Sequence, residues 1–134
     1  MKCSSDFEGC IYSVTFRYYD NKTNKMDIKV RPFLLLKAEK EEIPCDFSAL
    51  PISKVTNKQN LSSRYDIEIS NSNYVSLGLK EPISYIRTHK IQTVHSNDFK
   101  NRICDDLRVL YPKLADQIKE LINEYVEDIF REPI

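Results

Sequence analysis

Two stretches of the chain carry side chains suited to act on a phosphate. In Val30-Arg31-Pro32-Phe33-Leu34-Leu35-Leu36, a guanidinium stands just before four large apolar residues in a row. Such a run is too short for an ordinary helix and predicts a strand buried on both faces. Pro32 sits at the strand start, where a missing N–H is tolerated. Arginine carries a permanent charge and a planar fork of donors that matches phosphate oxygens. An arginine fixed by a proline at the mouth of a buried strand is well placed to hold a phosphate; the plainer reading is a solvated charge flanking a core strand. In Ile83-Ser84-Tyr85-Ile86-Arg87-Thr88-His89, positions 87 and 89 share a face if the strand continues. The imidazole titrates near neutrality and can take or give a proton, although a lone histidine is more often a surface residue. His95, beside a change of period, reads as structural.

The elements that must position these groups follow from periodicity. Residues 8–17 alternate, with Cys10, Tyr12, Val14 and Phe16 on one face, and predict a strand. Residues 18–29 are polar, contain Asp20, Asn21 and Asn24 as turn formers, and read as a mobile loop. Strands are expected over 31–37, 46–52, 65–69 and 83–88, with a short sixth over 90–94. The charged stretch 38–44 reads as a solvated connector, and 57–64 as a polar loop. Pro51 suggests an edge or a bend in its strand, and Gly78 a positive φ or a close backbone approach. From Ser96 the period changes. Phe99, Ile103, Leu107 and Leu110 predict one helix, capped by Ser96, Asn97 or Asp98. Pro112 breaks it and opens a second helix with an apolar stripe from Leu114 to Phe130. Short strands followed by helices predict a mainly β (α+β) fold, a small curled antiparallel barrel with C-terminal helices. One domain over 1–134 is expected, with the barrel at about 8–95 and the helical part at about 96–131.

Composition narrows the function classes. Lys+Arg and Asp+Glu both number 20, so no global field draws in nucleic acid and any such contact needs a local patch. Cys3, Cys10, Cys45 and Cys104 are scattered without a C-x-x-C pair, and there are two histidines. No metal site and no cofactor are expected, and the cysteines read as the reduced thiols of a cytoplasmic protein. The first residues lack the apolar core of a signal peptide, and no run approaches a membrane span, so no membrane partner is expected.

Six segments in order then stand out: Gly9-Cys10-Ile11-Tyr12, Arg31-Pro32-Phe33-Leu34-Leu35-Leu36, Leu50-Pro51-Ile52-Ser53, Tyr65-Asp66-Ile67, Leu77-Gly78-Leu79-Lys80, and Ser84-Tyr85-Ile86-Arg87-Thr88-His89-Lys90-Ile91-Gln92-Thr93. Over about residues 8–110 this order resembles the MazF/PemK (Kid-like) toxins of type II toxin–antitoxin systems. The chain departs from that pattern in the loop before Arg31 and in carrying His89 where some relatives have an acid. The resemblance implies an SH3-like barrel, a homodimer, and a metal-independent endoribonuclease inhibited by a cognate antitoxin protein. Such an enzyme cuts single-stranded RNA with the neighbouring 2′-OH as nucleophile. It needs a base, an acid and donors for the charge developing on phosphorus.

By that resemblance Arg31 is the first catalytic candidate, with Ser53 donating to the same phosphate; the plainer role of Ser53 is to close the turn after Ile52. Arg87 resembles a second catalytic arginine, or else pairs with an acid such as Glu81 or Asp46. His89 is the candidate for proton transfer, and Lys54 adds phosphate affinity. Tyr18, Tyr19, Lys22 and Lys25, with Asp20, would flank the RNA, the tyrosines stacking on bases or else lying half-buried at a strand end. The last helix would pack on its own barrel, any exposed part of Tyr125, Ile129 and Phe130 forming a dimer or antitoxin surface. The competing class is a catalytically silent SH3-like barrel that binds protein or nucleic acid.

Overall fold

The structure is a computed structural model that describes residues 2–55 and 57–131; Met1, Thr56 and residues 132–134 lie outside it. Its first element pair is a long hairpin. β1 (Ile11–Asp20) and β2 (Lys25–Ala38) pair antiparallel without interruption from Ile11↔Leu34 to Asp20↔Lys25. Asn24 closes the connection at φ 55, a left-handed conformation that asparagine tolerates, and its N–H donates to the Asp20 carbonyl at 2.8 Å.

β3 (Asp46–Ser53) lies on the other edge of β2. Along its far edge β3 changes partner. Asp46–Ala49 pair with β6 (Gln92–His95), and Ile52–Ser53 pair with β5 (Ile83–Arg87). Pro51, which has no N–H to give, sits at that change of partner; β3 is an inner strand, and the one register shift against β2 lies at Leu35–Lys37 instead. β5 pairs with β4 (Asp66–Ser70), and β7 (Phe99–Cys104) takes the free edge of β1. The path β4-β5-β3-β2-β1-β7 is a curled antiparallel sheet, a small half-barrel with β6 beside β3. A four-residue helix α1 (Leu107–Leu110) and the long helix α2 (Pro112–Arg131) follow. The mainly β small barrel with a C-terminal helix is therefore as expected.

The middle of β2 is buried on both faces. Phe33 and Leu35 enter an aromatic core with Phe7, Tyr12, Val14 and Phe47. Leu34 points the other way, into an aliphatic core with Ile52, Ile69, Ile86, Leu107, Leu114 and Ile118. Each such side chain gains about 1.5–3 kcal/mol from leaving water, so both layers fix the same strand.

Two expectations are corrected. Residues 18–29 are not a mobile loop: apart from 21–24 they are strand, the outer half of the hairpin. The helix expected from Ser96 to Leu110 is a 3-10 turn (Ser96–Asp98), then β7, then the single turn of α1. Phe99 and Ile103 have helical spacing, but the β1–β7 ladder shifts register between Tyr12 and Val14. These irregularities let Phe99 reach the aromatic core and Ile103 the aliphatic one. The free edge of β1 thus claims a segment whose local pattern reads as helix.

Gly78 meets both conditions expected of it. It ends the turn Val75–Leu77 at φ 66, and a Cβ there would stand 2.9 Å from the Ile103 carbonyl oxygen. Gly78→Ala is expected to cost about 1–3 kcal/mol in urea denaturation, whereas the exposed neighbour Ser76→Ala should stay within about 0.5 kcal/mol. Equal midpoints for the two variants would refute the strain assigned to residue 78.

Candidate functional site

Where β2 leaves the barrel, its burial ends between Phe33 and Arg31. Alternation puts Arg31 on the Phe33 face, and its guanidinium carbon lies 5.4 Å from the centroid of the Phe16 ring. That is cation–π range, so the ring supports the arginine and leaves its donors unused. Among the described residues Arg31 makes no salt bridge. Two residues beyond the Phe33↔Pro51 pair, the register carried on brings Ser53, the last residue of β3, opposite Arg31.

The third wall is the connection into β5. Gly78 turns the chain, Leu79 packs on the aliphatic core, and Lys80 and Glu81 follow before Pro82. The Pro82 carbonyl accepts from the Asn71 N–H at 2.9 Å, which pins this connection to the β4 turn.

These elements enclose a cleft of about 490 Å³ lined by Arg31, Ser53 and Lys54, with Lys29, Lys80, Glu81, Ser13 and Ser84. Its apolar part comes from Val30, Pro32, Ile52, Leu79 and Ile103. Four cations against one carboxylate make this a local positive site on a chain of zero net charge. The Lys54 ammonium lies 3.5 Å from the Glu81 carboxylate, both side chains being well exposed. A second concavity of about 430 Å³ runs between α2 and Leu34–Leu36. It is largely apolar, and its one arginine, Arg108, is taken by Asp106 at 2.8 Å, so it offers no comparable anion site.

Three residues expected at the site, Arg31, Ser53 and Lys54, therefore border the same cleft, Arg31 and Ser53 from the Phe33 face of the sheet and Pro32 and Ile52 from the other. Arg87 and His89 do not join them. Arg87 points to the opposite face of β5 from Ser84, where Asp66 accepts from its Nε at 3.0 Å and its Nη2 at 3.2 Å; the Asn60 carbonyl takes Nη2 at 2.7 Å. The acid that pairs Arg87 is Asp66, not Glu81 or Asp46. The Asp66 side chain is 1% exposed and also accepts the Ser62 N–H at 2.8 Å. His89 lies against the same carboxylate, Nδ1 at 3.7 Å from Asp66 Oδ1, with the Tyr65 and Tyr125 rings 5.8 and 5.9 Å away. That Nδ1 is buried and has no hydrogen-bond partner among the described residues. His95 is structural, as expected: its Nδ1 accepts from the Asn97 N–H at 3.0 Å, though it caps a 3-10 turn rather than a helix.

The remaining candidates lie along the outer hairpin. Beyond Val14 and Phe33 it is a two-stranded ribbon of about 20 Å. Tyr18 and Phe16 share a face with Asp27, Lys29 and Arg31, and the Lys29 ammonium lies 5.0 Å from the Tyr18 ring centroid. Tyr18 donates to Asp27 at 3.4 Å; burial and this acid push its phenol pKa up. Tyr19 is exposed on the other face with Met26, Ile28 and Val30, and donates to the Asn24 side chain at 3.2 Å. Lys22 and Lys25 are exposed at the tip. Sequence reasoning missed Lys29, Lys80 and Glu81 as cleft residues. The available signal was the charged pair Lys80-Glu81 between a turn glycine and a proline.

Burial lowers the His89 pKa below its usual 6.5, with Lys90 and Arg87 acting in the same sense and Asp66 opposing them. The folded state then binds this proton less readily than the unfolded one. Its contribution to stability is full above about pH 6.5 and is lost as pH falls through that value toward the folded pKa. Urea midpoints measured from pH 8 to pH 5 should fall more steeply for the parent protein than for His89→Gln; parallel curves would remove His89 as the cause.

No family model matches this chain, and no curated protein sequence matches it.

Proposed function

We propose that this protein is a toxin-like, metal-independent endoribonuclease that cleaves single-stranded RNA through attack of the 2′-OH on the adjacent phosphate. In this reading it belongs to a toxin–antitoxin module, acts as a homodimer and is inhibited by a cognate antitoxin protein. The observation that carries the proposal is the convergence of Arg31, Ser53 and Lys54, separated in sequence, on one cleft with two further lysines. The ordered segments that resemble the MazF/PemK toxins support the same reading.

Arg31 offers its fork to the phosphate oxygens and stabilises the charge that grows on them. Ser53, opposite it, donates a further hydrogen bond. The ribbon extends the site away from the cleft, with Tyr18 and Tyr19 as stacking surfaces and Lys22 and Lys25 as backbone contacts. Arg87 and His89 are given no chemical part in the cleft, because Asp66 occupies the first and the second is packed against it. Their role is to hold the β4–β5 pair and the neighbouring helix.

Incubating the purified chain with mixed-sequence RNA in EDTA should give discrete cuts ending in 2′,3′-cyclic phosphate. Arg31→Ala should slow them by about 10²–10³-fold. Intact RNA that is still bound would replace the enzyme with a silent SH3-like binding barrel; neither cutting nor binding would remove RNA altogether.

A further inference from the structure

We infer that Glu81 and Lys54 are the proton-transfer pair of this cleft, Glu81 as general base and Lys54 as general acid. The inference rests on the endoribonuclease reading and deepens it. Arg31 suits charge stabilisation better than proton transfer, since its guanidinium does not give up a proton in proteins. Both histidines are engaged elsewhere: Nδ1 of His95 caps a turn, and His89 is packed between Tyr65 and Tyr125 against Asp66. Glu81 is the one carboxylate among the described residues that line the cleft. It is held there by the Gly78 turn on one side and the Asn71–Pro82 hydrogen bond on the other. Its exposure leaves the carboxylate open to a substrate hydroxyl, and Lys54 stands 3.5 Å away.

The step balances within the pair. The Glu81 carboxylate takes the proton of the 2′-OH as the 2′ oxygen forms its bond to phosphorus. The P–O5′ bond breaks, its electron pair stays on the 5′ oxygen, and the Lys54 ammonium gives that oxygen a proton. The products are a 2′,3′-cyclic phosphate and a 5′-OH. Glu81 is then neutral and carboxylic, Lys54 is a neutral amine, and transfer of the proton from one to the other restores the ion pair. No co-reactant is consumed. The contact between the two side chains is what makes this return path short.

The test is turnover of a mixed-sequence RNA oligonucleotide in EDTA, with binding of its 2′-O-methyl analogue measured in parallel. Glu81→Gln keeps the size and the exposed position of the side chain. It is expected to lower kcat by about 10²–10⁴-fold, to leave KM and binding of the analogue within about threefold, and to abolish the acid limb of the pH–kcat profile. Glu81→Asp should recover part of the rate and restore that limb. If the parent protein cuts RNA and Glu81→Gln cuts it equally with the limb intact, the pair is not the proton relay, while the nuclease reading stands. Parallel loss of turnover and analogue binding in Glu81→Gln overturns the inference in favour of a binding role. If the parent chain leaves RNA intact, the nuclease reading fails and takes this inference with it.

Discussion

Burial of one strand on both faces is the constraint from which the rest of the structure follows. Phe33 and Leu35 are locked into the aromatic core and Leu34 into the aliphatic one, so β2 can neither slip nor rotate. A slip by one residue would exchange the two sets and put each into the wrong layer. This fixed register sets the position of Arg31 two residues outward and, through β3, that of Ser53 opposite it. The cleft therefore gets its precision from packing rather than from hydrogen bonds among its own polar groups. Such a site can keep Arg31 unpaired for a ligand, because its position does not depend on a charged partner.

Asp66 organises the other side of the barrel and shows the opposite solution. A carboxylate that is 1% exposed must have its lone pairs filled, and here two guanidinium contacts and the Ser62 N–H fill them. The arrangement consumes Arg87 and draws His89 in beside it. It also ties the helix to the sheet, because Tyr65 precedes Asp66 in the chain and donates to Asp128 of α2, while the Tyr125 ring packs edge-on at 5.1 Å. The hydrogen bond from Tyr65 holds the Asp128 carboxyl below its usual range, and Arg64 and Arg131 add to that effect. Removing one partner from such a buried cluster leaves a desolvated charge behind. Arg87 is thus committed to the fold by the neighbour that makes its charge tolerable.

Legibility in the sequence followed this division between packed and exposed residues. Six of the seven strands, β6 as a short one, and the whole of α2 were readable, chiefly from periodic buried stripes such as Tyr12, Val14 and Phe16 in β1 and Leu114 and Ile118 in α2. β7 was not, because register shifts in its ladder break the two-residue period and imitate a helix. The outer half of β2 was missed although Met26, Ile28 and Val30 alternate with Asp27, Lys29 and Arg31. Its apolar residues face solvent, and the lysines and turn formers around them suggested a loop. At the site, Arg31 was legible from its place before a buried strand. Glu81 was not, since the turn signal at Gly78 does not tell which strand end the following residues meet, and its proximity to Lys54 is set by tertiary pairing of β3 with β5. Asp66 was equally hidden: in Tyr65-Asp66-Ile67-Glu68-Ile69 it alternates as though it faced water.

The hairpin joins two regions of different stiffness, and that difference bears on how a polymer would be held. Its base shares both cores, whereas its outer half pairs only with itself and has every β2 residue from Lys25 to Val30 exposed. A two-stranded ribbon is marginal in isolation, so local opening should cost least at the tip and most at Phe33. One ribbon face presents rings beside cations, Phe16 with Arg31 and Tyr18 with Lys29. The other presents Tyr19, Met26 and Ile28. A chain threaded from the tip toward the cleft would first meet an adaptable surface able to stack on bases of any identity. Only at the base would it meet groups held rigidly enough for chemistry, where small displacements are costly. A single strand can supply both regions because its burial stops abruptly at Pro32, between a core residue and the guanidinium.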